Sequence, residues 1–133
     1  MSGLRLMPFA FLAALCLTHS AAGAQQFSYD ATPAEIAMLP EYCQARLGAS
    51  AALSDKWRAR IGPDKYIHLH HYCHGLKFLN RAPMARDQQT RRNQLQQATA
   101  EFDYVIARWP PDFPLAIDAK NKQAMAHSLL KMP

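Results

Sequence analysis

Between residues 93 and 109 the apolar side chains return at steps of three and four: Leu95, Ala98, Phe102, Val105 and Trp109. An α-helix turns about 100° per residue, so these positions form one inward stripe. Asp87 or Thr90 can cap the start of this helix, and Pro110-Pro111 stops it. The segment from Lys65 to Arg81 has the same period, with Asp64 as its cap. Leu69, Tyr72, Cys73, Leu76 and Leu79 gather on one side. Ile67, His71 and Phe78 fall nearly opposite, beside Gly75, so this helix is expected to be contacted on two faces. A mid-helix glycine costs up to about 1 kcal/mol, and close approach of another element is its usual reason. A last helix is predicted from Pro114 to about Lys131, with Leu115, Ala119, Ala124, Met125 and Leu129 inward.

The stretch before Asp64 is more broken. Gln25 to Asp30 reads as a short, loose arm. Thr32-Pro33-Ala34-Glu35 has the form of a capping box with proline in the first turn. Pro40 interrupts that helix, Glu41 to Leu47 continues as another, and Gly48 ends it. A further short helix is expected around Trp57, closed by Gly62-Pro63. No segment sustains a period of two, and no residue pair suits a hairpin turn. The fold expected is all-α: a helical hairpin plus a further helix over residues 64–133, preceded by short helices in an arm over residues 25–63.

Residues 1–24 have the form of a secretory signal. Arg5 is followed by an apolar run from Leu6 to Leu17, interrupted at Pro8, and by the small residues Ala22-Gly23-Ala24. The run is short of the ~20 apolar residues of a spanning helix. Retention as an anchor and lipidation at Cys16 are the alternatives. Removal would leave residues 25–133, the length of one domain, with no membrane span. Of the three cysteines in the chain only Cys43 and Cys73 would remain. In an oxidising compartment these are expected to form a disulfide tethering the arm to the hairpin; two unrelated buried thiols are the alternative. Localisation is expected to be periplasmic or secreted.

Charge narrows the function classes. The net charge is +5 at pH 7, and the basic residues are scattered apart from Arg91-Arg92. No basic stripe or recognised nucleic-acid motif is present. The run HLHHYCHG, residues 68–75, concentrates His68, His70, His71, Cys73 and His74. Covalent haem attachment needs Cys-x-x-Cys-His, and His70 stands where the first cysteine belongs. His70 and His74, at i and i+4, can reach one metal ion. Lys77 and Arg81 continue that stripe with positive charge, so a metal centre is the secondary reading. The first is a solvated or partner-facing surface of His70, His74, Lys77 and Arg81, with His68 and His71 packed. No catalytic motif stands out, and Glu101 and Asp103 fall on different faces. No cofactor and no enzymatic activity are expected.

Gly75, then Ala98-x-x-x-Phe102, then Pro110 resembles a degenerate tetratricopeptide repeat, which pairs a small residue in its first helix with such a pair in its second. The interval from Gly75 to Ala98 exceeds the about 12 residues of a regular repeat, and residues 81–90 must carry the excess. LPEYCQAR, HHYCHGLKFLNRA and EFDYVIARWPPDFPL also resemble small exported proteobacterial proteins of repeat-containing or uncharacterised type. The resemblance implies a helical interaction module. Its partner would be a protein or peptide, or a second copy covering the last helix, with Tyr104 and Trp109 as candidate anchors. The rival reading is a periplasmic metal-binding protein.

Overall fold

The computed structural model describes residues 28–132; the predicted signal over residues 1–24 lies outside them. The described residues are helical and contain no strand. The elements are α1 (Pro33–Ala37), α2 (Glu41–Leu47), α3 (Ala51–Ile61), α4 (Pro63–Tyr66), α5 (Leu69–Arg81), a 3₁₀ turn (Ala82–Met84), α6 (Gln88–Ile106) and α7 (Pro114–Leu130).

The chain starts its helices where the capping residues stand. Thr32 Oγ1 accepts from the Glu35 amide at 3.2 Å, and the Glu35 carboxylate accepts from the Thr32 amide at 2.8 Å. Asp87 caps α6 by accepting from the Thr90 amide at 2.7 Å. Side-chain acceptors of this kind satisfy amides that the first helical turn leaves unpaired. Gly62 sits at φ +92°, a conformation that side chains with a Cβ avoid, and it separates α3 from α4.

α5 and α6 form an antiparallel hairpin, shown by His71 meeting Glu101 near one end and Ala82 clustering with Leu95 near the other. Phe102, Val105, Leu95 and Ala98 are fully buried along α6, as their spacing predicts. Trp109 is buried at the hairpin's open end beside Tyr72. Gly75 faces the Phe102 ring, and a Cβ built there would lie 2.7 Å from Phe102 Cε1. The glycine is therefore required by the close approach of α6. Cys43 on α2 is bonded to Cys73 on α5, with Cα atoms 5.4 Å apart. Both are fully buried.

Three expectations are corrected. The helix over 65–81 is not continuous. The Lys65 carbonyl accepts from Trp109 Nε1 at 3.1 Å, and the Ile67 carbonyl lies 3.0 Å from His70 Nδ1. The Lys65 carbonyl also accepts from the His68 amide at 3.2 Å, a tighter turn than the α-helical ladder, so α5 restarts at Leu69 and Ile67 is left exposed. On α7 the inward residues are Ala116, Ala119 and Ala126, whereas Ala124 and Met125 face outward. Small side chains let α7 lie close against α6. Finally, residues 28–30 of the arm are not loose but are bound to α5.

Candidate functional site

That attachment explains the histidine-rich helix. Lys77 is 1% exposed. Its ammonium donates to the carbonyl of Tyr29 at 2.5 Å and reaches those of Ser28 and Asp30. Arg81 donates to the carbonyls of Ser28 and Asp30, each at 2.8 Å, and forks onto the Glu35 carboxylate at 2.5 and 3.0 Å. The arm is thus pinned by charge-assisted bonds to α5. Tyr29 closes the arrangement, with its hydroxyl donating to Glu101 at 2.7 Å and its ring edge-on to His74 and Phe78.

The arm lies along the C-terminal half of the stripe His70, His74, Lys77, Arg81, and Lys77 and Arg81 also line a recess of about 410 Å³. Lys77 and Arg81 are bound within the chain. His74 is half-buried, and its Nδ1 is buried without a hydrogen bond. His70 is half-buried, with Nδ1 3.2 Å from an Arg46 guanidinium nitrogen. His71 meets Glu101 at 2.7 Å and stacks on Tyr104 with ring centroids 3.5 Å apart. Tyr104 carries the Arg108 guanidinium on its ring, so it is a partly exposed stacked residue rather than a free anchor. The rings of His70 and His74 are 6.4 Å apart. Among the described residues no group of three or more His, Cys, Asp or Glu is placed to hold a metal ion.

The electrostatics follow from this burial. Glu35 is held down to about 2, first by the hydrogen bond from Arg81. Lys77 is lowered to about 8, by burial and then by the Arg81 charge. Tyr29 is pushed up to about 12, by burial and then by Glu101. His74 is lowered to about 4, by burial and then by Lys77, with His70, His71 and Arg81 adding to it.

The His74 shift sets a pH dependence. The unfolded imidazole takes its proton near 6.5, and the folded one only near 4. Between those values the unfolded chain holds more protons, so stability is complete above about 6.5 and is lost as the pH falls toward 4. His70 and His68 shift the same way, by burial first. Glu35 acts in a lower window, since its folded value is depressed and its contribution is lost only as the pH falls from about 4.5 toward 2. The urea midpoint is expected to drop between pH 6.5 and 4.5, and His74→Gln should make that drop shallower. An unchanged profile in the variant would remove His74 as its source.

The open surface flanks the arm, and Glu35, Lys77 and Arg81 line its first recess. Three neighbouring recesses, of about 410, 460 and 530 Å³, share Met38 and Asn80 in their linings. Leu76 and Leu79 form part of the floor; Met38 and Pro40 stand on the arm side, Met84 and Ala82 on the 3₁₀ turn, and Met125 and Leu129 on α7. Met38 is 68% exposed, Met84 74% and Met125 43%. The ionisable residues lining the 530 Å³ recess are Arg91 and Lys122, both basic. Lone methionines at helix ends give no periodic signal, so the sequence pattern does not single out Met38 or Met84. Glu101 was also missed: only the fold brings His71 and Tyr29 to its carboxylate.

No protein-family model matches the chain, and no curated protein or solved structure is similar to it at a significant level.

Proposed function

We propose that the chain is an exported helical protein-interaction module without catalytic activity, and that the methionine-edged groove is its docking surface. The observation that carries this reading is that three neighbouring recesses share Met38 and Asn80, with three exposed methionines along them. Methionine is flexible and polarizable, and it recurs on surfaces that adapt to apolar partners. A groove with an apolar floor suits a peptide or helix that inserts side chains at regular spacing. At the 530 Å³ recess Arg91 and Lys122 favour an acidic flank on that partner, whereas Asp118 and Glu35 line the neighbouring recesses. The Gly75–Phe102 approach supports the repeat-like reading of the hairpin, and the Cys43–Cys73 bond supports an oxidising, exported setting.

A random peptide library displayed against the oxidised mature domain tests the reading. Selection is expected to return apolar sequences carrying acidic residues. Met38→Lys with Met84→Lys should weaken their binding at least tenfold, whereas Gln96→Lys, on the exposed face of α6, leaves it unchanged. Exposed substitutions of this type seldom disturb folding. Peptides that bind both variants equally, or a selection without consensus, would overturn the assignment.

A further inference from the structure

A second recess, of about 350 Å³, lies away from the groove where α2, α3 and α4 meet, lined by Arg46, Ser54, Arg58, Pro63, Tyr66 and Ile67. It is a concentration of unpaired positive charge. The guanidinium carbons of Arg46 and Arg58 each stand 5.7 Å from the centroid of the buried Tyr66 ring. No carboxylate lines the recess. The ion pairs among the described residues are Lys56–Glu41, His71–Glu101 and Arg81–Glu35, so neither arginine has a carboxylate partner there.

The donors are under-used. Arg46 Nε is buried without a hydrogen bond. One Arg46 terminal nitrogen meets His70 Nδ1 at 3.2 Å, but that ring nitrogen also lies 3.0 Å from the Ile67 carbonyl. A neutral ring nitrogen cannot accept from the first and donate to the second at once. The hydroxyls of Ser54 and Tyr66 are 2.9 Å apart. In such a pair one hydroxyl donates to the other, and the acceptor keeps its own proton to give elsewhere.

We propose that this recess binds a tetrahedral oxyanion of the phosphate type, free or as a phosphate monoester. Arg46 and Arg58 supply the charge and the planar donors that match such oxygens. The Ser54–Tyr66 pair supplies a further hydroxyl donor. The Tyr66 ring draws both guanidiniums to one recess. The anion would satisfy the Arg46 donors and relieve the competition at His70 Nδ1.

Calorimetric titration of the mature, oxidised protein with inorganic phosphate at low ionic strength tests this, with the Arg46 Nε–H resonance followed by NMR. Saturable binding is expected, with a shift of that resonance. Arg46→Gln and Arg58→Gln should each weaken it at least tenfold, while Lys120→Gln on α7 should not. Glycerol phosphate binding more tightly than inorganic phosphate would assign the group to a monoester, and the reverse order would assign it to the free ion. Acetate binding as tightly as phosphate would overturn the tetrahedral assignment. Phosphate that fails to saturate below about 10 mM, or that binds both variants as well as the parent, would overturn the site.

Discussion

Cys43→Ala with Cys73→Ala is expected to cost about 3–4 kcal/mol of unfolding free energy. The bond joins positions 30 residues apart, and opening it returns that loop's conformational freedom to the unfolded chain. For a domain near 100 residues this corresponds to a fall in Tm of roughly 10–20 °C. The two sulfurs are fully buried, so the variant also leaves empty volume in the core. The arm is held by Lys77 and Arg81 as well, and those bonds remain. Loss should therefore appear first as loosening of the segment from Met38 through α2, which the sulfur link holds, with α5 to α7 still helical by circular dichroism. Met38 leaves with the arm, so binding of groove-selected peptides should fall in parallel. An unchanged Tm would mean that the arm is fixed without the sulfur link.

Gly75→Ala is expected to destabilise by about 1–3 kcal/mol, the reverse of what helix propensity alone predicts. The added methyl carbon would lie 2.7 Å from Phe102 Cε1 and 2.9 Å from its Cδ1 and Cζ. Phe102 is fully buried and packed edge-on against Tyr72, so it cannot swing aside without moving the core. Gly75→Ala combined with Phe102→Leu should lose less than the two single variants summed, because the clash is shared. Urea denaturation of the four proteins measures the coupling. A more stable Gly75→Ala protein would contradict the close approach of α5 and α6.

What was legible in the sequence was local. The Thr32–Glu35 box and the Asp87 cap are short-range hydrogen-bonding patterns, and they mark the true starts of α1 and α6. The stripe from Leu95 to Trp109 is periodic, and its residues are buried. The cysteine pair required only a count and the expectation of an oxidising setting. What was not legible depends on backbone atoms far away in the chain. Lys77 reads as a solvated charge, yet it is buried because carbonyls 47 to 49 residues earlier accept hydrogen bonds from its ammonium. Lys65 lies in a helical pattern, yet the helix breaks just after it, where its carbonyl is shared between the His68 amide and Trp109, 44 residues away. On α7 the burial of alanines in place of Met125 follows from how closely two helices lie, which periodicity does not encode. The groove escaped for a related reason: Met38 and Met84 belong to different elements and share a surface only after the arm docks.

The docked arm and the α5–α7 helices are proposed to form together a partner-binding groove edged by Met38, Met84 and Met125. Methyl-labelled methionine NMR during titration with a selected apolar, acidic peptide tests it most directly. The resonances of Met38, Met84 and Met125 should move together and saturate with the peptide, while Met132 stays in place. Movement of Met132 alone, or saturable binding with all three groove methyls unchanged, would contradict the account.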